Sequence, residues 1–169
     1  MLVATILALL LAILTFLFHY AVLRWLSGGM ARIAMTAGVR ILVIVLMVTA
    51  AHLIEIGIYA VAYALGDGVL ALGGFGGLAV AEPLDYLYFS IVSYTSLGLG
   101  DVFPSDHLRF ITGVEALNGL LLIAWSGSFI YIAMARLWPW RSCTEPTRGN
   151  ADKRFKSAPM PPQNTDSMN

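Results

Sequence analysis

Thr95-Ser-Leu-Gly-Leu-Gly-Asp101 places two glycines two positions apart, directly behind an aromatic-rich stretch, Tyr86-Leu-Tyr-Phe-Ser-Ile-Val-Ser-Tyr94. Glycine adopts left-handed backbone at little steric cost, so Gly98 and Gly100 let a short strip alternate its hand. A bare G-x-G is weak, because dehydrogenase loops and ordinary turns contain it; the surroundings decide. Pro83 to Thr95 would form a helix ~18 Å long, too short to cross a bilayer. Pro83 suits a first helical position, and Glu82 and Asp85 suit the positive end of the helix dipole. The other end would turn a partial negative charge toward the membrane centre, which favours a cation there. On both sides lie long apolar runs, so the segment reads as a re-entrant helix followed by an extended strip. Irregular backbone at that depth is tolerated where it lines water and is enclosed by protein.

Working outward, Ile41 to about Leu65 and about Phe110 to Leu137 are each long enough to span a bilayer, as is Leu2 to Leu23. A Gly-rich stretch, Gly66 to Ala81, leads into the short helix. The 169 residues are 59% hydrophobic and 12% charged, with a mean hydropathy of +0.79, a composition that excludes an ordinary soluble domain. The net charge is zero and gives no reason to expect nucleic acid. A single cysteine, Cys143, excludes an intrachain disulfide framework. No phosphate loop, zinc-ligand spacing or nucleophile elbow is visible, so no enzymatic activity and no cofactor is expected.

The charges orient the chain. Arg24, Arg32 and Arg40 lie in or beside the first connection, and Arg136, Arg141, Arg148, Lys153, Arg154 and Lys156 lie at or after the end of the third span. Arg109 alone falls on the other side, with Asp67, Glu82, Asp85, Asp101 and Asp106. The positive-inside rule puts the N-terminus outside and the C-terminus in the cytoplasm, in a multi-pass protein of the cell membrane. Met1 to Tyr20 lacks the basic start of a cleaved signal peptide and reads as a retained anchor. The Pro-rich polar tail after Arg141 reads as disordered; its basic cluster either touches anionic lipid or is a plain stop-transfer charge. No span carries the repeated arginines of a voltage sensor, and the gating stimulus is not legible.

The strip with its flanks, Ile41 to Leu137, resembles the pore module of tetrameric potassium channels, whose filter usually reads T-V-G-Y-G-D. That resemblance implies a filter made by Thr95, Ser96, Leu97, Gly98, Leu99 and Gly100, with potassium held by the carbonyls of Ser96, Leu97, Gly98 and Leu99 in place of water. It implies that Asp101 rings the outer mouth and that Tyr88 and Phe89, followed by Ser90, surround the filter. Pro104 and Arg109 match residues beyond the filter acid, and Glu115-Ala-Leu-Asn-Gly119 resembles a run common on prokaryotic inner helices. Gly119 then falls on the hinge glycine; the other reading is a small residue for close helix packing. Three positions depart from the pattern. Ser96 replaces a threonine but keeps the hydroxyl, Leu97 replaces valine, and Leu99 replaces a tyrosine whose hydroxyl usually braces the filter.

Ionisable groups inside spans usually face protein or water, since lipid exposure costs on the order of 3 kcal/mol. His52 and Glu55, three apart, form either an internal pair or a pH-sensitive contact. Glu115 and Asn118 are placed similarly on the third span; Asn118 either faces a cavity or bonds across helices. The expected fold is an all-α membrane protein of three transmembrane helices with a re-entrant pore helix and extended filter, four copies making one pore. Residues 1–39 would be an anchor and cytoplasmic loop, 40–138 the pore domain, and 139–169 the tail. The expected function is a passive cation channel, first of all for potassium and with sodium as a second permeant ion. The alternatives are a non-selective cation channel and a non-conducting scaffold or accessory subunit. The expected partners are the bilayer and identical copies of the chain.

Overall fold

A computed structural model describes residues 1–29 and 33–138. Arg32 and the tail 139–169, including Cys143 and the basic cluster, lie outside the described residues. Helix α1 runs over Leu2–Gly28, α2 over Ala37–Gly68, and α3 over Pro83–Tyr94. Helix α4 covers Leu108–Leu137. Three of these, at 27, 32 and 30 residues, are long and apolar enough to cross a membrane. Each extends beyond its expected span at one end or both, because hydropathy marks the lipid-facing length while helical hydrogen bonding continues past it. The short helix of 12 residues falls where the sequence puts it.

Two three-residue strands, β1 (Phe75–Gly77) and β2 (Val102–Pro104), add a small antiparallel ladder to the helical fold. Phe75 pairs with Pro104 and Gly77 with Val102. The ladder fastens the entrance of α3 to the chain leaving the Gly-rich strip. Gly77 is required at its corner: φ is +91°, and an added Cβ would lie against the Asp101 carbonyl. Neither strand was visible in the sequence, since Phe75-Gly-Gly and Val102-Phe-Pro are too short to alternate.

Helix α1 is not a loose anchor. Ala4, Ala8, Leu11, Thr15, His19, Leu23 and Leu26 are buried along one stripe of it, spaced by three or four residues. The upper part of the stripe joins a core built from Ile56, Tyr59 and Tyr63 of α2, Phe89 and Tyr94 of α3, and Leu108 and Ile111 of α4. The lower part packs Leu23 and Leu26 on Ile44 and Val48. Met1–Trp138 is accordingly one compact unit, with no seam at residue 39. Helix α4 is the least enclosed: only 11% of its most apolar window is buried, against 28% for α1 and α2. Leu117, Leu120, Leu121, Ile123 and Trp125 remain exposed on it.

Candidate functional site: a strip of unpaired carbonyls held by a short helix

Helix α3 starts on Pro83, and the Asp85 carboxylate accepts the N–H groups of Ala81 and Glu82, each at 2.9 Å. Those two donors hold the Asp85 pKa below its usual value. At the far end the backbone closes on itself. Ser96 N–H donates to the Ser93 carbonyl at 3.0 Å and Leu97 N–H to the Val92 carbonyl at 3.0 Å, with Ser96 at φ +55°. This is a Schellman closure, which ends a helix through one left-handed residue and pairs the carbonyls of Val92 and Ser93.

Beyond the closure the chain extends with alternating hand: φ is +55° at Ser96, +58° at Gly98 and +80° at Gly100. No atom lies within 4 Å of a Cβ added at Gly98 or Gly100, so the demand for glycine there is one of backbone conformation. Among the described residues, no donor pairs with the carbonyls of Ser96, Leu97, Gly98, Leu99 or Gly100. Backbone carbonyls are obligatory acceptors, so five successive ones call for water or a cation. Leu97 and Leu99 are 63% and 59% exposed.

Asp101 ends the strip in a fixed position. Its Oδ2 accepts the Tyr88 hydroxyl at 2.5 Å and its Oδ1 accepts the Val102 N–H at 3.0 Å. The Tyr88 bond is the main cause of a lowered Asp101 pKa, and the same carboxylate raises that of Tyr88. The aromatic pair thus divides. Tyr88 braces the acid, whereas Phe89 is buried with its ring centroid 4.9 Å from both Tyr63 and Phe75. Successive residues on a helix point about 100° apart, which is why one ring reaches Asp101 while the next joins the core.

Behind the strip, buried polar groups tie the four helices together. Glu115 accepts the Ser90 hydroxyl at 2.6 Å and the Tyr63 hydroxyl at 2.5 Å. Asn118 Nδ2 donates to Thr15 Oγ1 at 2.7 Å and to Tyr59 Oη at 3.0 Å, so it bonds across helices. His52 and Glu55 do meet, at 3.2 Å, but within a larger cluster. Glu55 also contacts His19 Nδ1 at 2.9 Å and accepts the Tyr94 hydroxyl at 2.5 Å. The sequence reading missed Thr15 and His19. The signal was present: they lie four apart inside an otherwise apolar run, which puts both on one helix face.

Gly119 is a contact, and α4 runs through it without a break. A Cβ there would overlap the Tyr94 carbonyl oxygen, a backbone atom that cannot step aside. Gly119→Ala should therefore push α4 off the end of α3 and lower the thermal midpoint by several degrees. Overpacking of this kind costs roughly 1–3 kcal/mol. Thermal unfolding of the purified protein checks this; an unchanged midpoint would mean that α4 can draw back from the end of α3 at no cost.

No curated protein and no solved structure matches the chain. Residues 58–136, from the second half of α2 through α3, the strip and most of α4, match the family model described as an ion channel.

Proposed function

We propose that the protein is a passive cation channel that conducts potassium through the carbonyls of Ser96, Leu97, Gly98 and Leu99, four chains surrounding one axis. The observation that carries this reading is the run of unpaired carbonyls with alternating hand, set between two helices of spanning length. Carbonyl rings replace the hydration shell of a permeant ion. One chain supplies one strip, and a ring needs several strips related by rotation. The exposed face of α4 is where neighbouring copies would pack. Thr95 and Ser96 would form the inner end of the filter, while Asp101 gathers cations at the outer mouth. Conduction is passive, with no covalent step. The basic flanks support an orientation in the cell membrane with the N-terminus outside and the C-terminus in the cytoplasm. Crosslinking in native membranes should trap species up to four chains; a clean monomer would sink this reading.

A specific observation favours weaker discrimination between potassium and sodium as a second reading. Leu99 has no hydroxyl, Phe89 is turned into the core, and the Tyr88 proton is engaged by Asp101. The filter wall then lacks a side-chain brace, and filter rigidity bears on selectivity. Leu99→Tyr tests this, because the Tyr88 oxygen keeps free lone pairs that a second hydroxyl can use. The potassium-to-sodium permeability ratio should hold or rise in the variant under identical bilayer conditions. A marked fall would show that the wall is packed around leucine.

A further inference from the structure

We propose that His19, His52 and Glu55 form a binding site for a divalent transition-metal ion of the zinc class, with the Tyr94 hydroxyl in the fourth position. Their ligating atoms all lie within 4.8 Å of one another, in a cluster where His19 and Glu55 are fully buried and His52 keeps 17% of its side chain accessible.

The hydrogen count points to one further positive charge. Six contacts join the five side chains: His19 Nδ1 to Glu55, His52 Nδ1 to Glu55 and to Tyr94, Tyr94 to Glu55, and both Nε2 atoms to Ser126 Oγ. With both imidazoles neutral, the set owns four hydrogens, one on each ring and one on each hydroxyl. Even if one His52 Nδ1–H served both of its contacts, five hydrogens would be needed. Unless a second hydrogen is shared between two acceptors as well, lone pairs face each other somewhere in the cluster. No lysine or arginine pairs with Glu55 among the described residues, and a buried carboxylate needs a counter-charge.

The arrangement fits a metal ion better than an added proton. Ser126 Oγ lies 2.9 Å from His19 Nε2 and 3.0 Å from His52 Nε2, and a hydroxyl oxygen can accept from both. Such outer bonds fix the tautomer of metal-binding histidines. They leave both Nδ1 lone pairs aimed at Glu55, with separations of 2.9 and 3.2 Å. A tetrahedral zinc site with bonds near 2.0–2.1 Å holds its ligands about 3.3 Å apart, so the two carboxylate–imidazole pairs need only open slightly. Two imidazoles and a carboxylate are a donor set that this class of ion accepts. Tyr94 Oη, 2.9 Å from His52 Nδ1 and 2.5 Å from Glu55, fills the remaining corner as a neutral oxygen. The bound ion would pin α1 to α2 at the residue just before Thr95.

The test uses the full chain, purified with chelator in a Cys143→Ser background, with cobalt(II) as the spectroscopic probe. Binding should give the visible absorption of histidine-ligated tetrahedral cobalt at one ion per chain, displaced by zinc and independent of any ion-flux assay. Zinc alone should raise the thermal midpoint. Ser126→Ala, a small truncation outside the ligand set, should weaken binding roughly 10–100-fold. His19→Gln should remove the absorption band, and His107→Gln should leave it intact. Absence of the band in the unmutated ligand set, or a band that survives His19→Gln, would overturn the proposal and leave the cluster to hold a proton instead.

Discussion

Gly98→Ala, and equally Gly100→Ala, should abolish cation flux while leaving membrane insertion and helical content intact. The backbone at these positions has φ of +58° and +80°, a region where a Cβ costs roughly 1–2 kcal/mol per residue. In a four-chain pore the same penalty falls four times on one constriction, about 4–8 kcal/mol in total. Relief comes only if the strip leaves its alternating path, which turns carbonyls away from the axis. Little else in the protomer should change, because no atom lies near either added methyl group. Circular dichroism and membrane fractionation should match the unmutated protein, and flux into liposomes should fall to background. Undiminished flux in a well-folded Gly98→Ala protein would show that ions pass elsewhere.

Glu115→Ala should produce the largest loss of stability of any single truncation on α4. The carboxylate is fully buried and receives the hydroxyls of Ser90 and Tyr63. Tyr63 also reaches Thr112 Oγ1 at 3.1 Å and Ser90 reaches the Ile56 carbonyl at 2.9 Å, so each hydroxyl keeps one alternative partner. What remains is a cavity and a severed link among α2, α3 and α4. Together these cost roughly 3–5 kcal/mol, within the range for large-to-small core changes. A midpoint lower by on the order of 10 °C is the expected readout. Glu115→Gln, which preserves shape and an acceptor oxygen, should recover most of the loss. Equal destabilisation by both variants would mean that charge, rather than the hydrogen bonds, holds the site.

The legible parts of the fold were those that hydropathy and Gly/Pro chemistry report directly. Three apolar runs gave three long helices, and Pro83 with Asp85 marked the start of the short one. Gly98 and Gly100 announced left-handed backbone; the Schellman turn at Ser96 did not, since serine there follows from the helix end and not from its own preference. The division of labour between Tyr88 and Phe89 was also hidden. Adjacent aromatics look equivalent in a sequence, and only the helix phase decides which one faces Asp101 and which joins the core. The role of α1 was the largest omission. An apolar helix at the end of a chain reads as an anchor, yet Thr15 and His19 couple it to Asn118 on α4 and Glu55 on α2. The family match begins at residue 58, so it carries no information about that helix.

The direct test of the central claim is the reversal potential of purified, reconstituted protein under opposed potassium and sodium gradients. A pore through the strip gives a current that depends on the protein, is carried by cations, reverses toward the potassium equilibrium potential, and disappears in Gly98→Ala. Protein that is folded and inserted but passes no cation current, or a current that persists unchanged in Gly98→Ala, would contradict it.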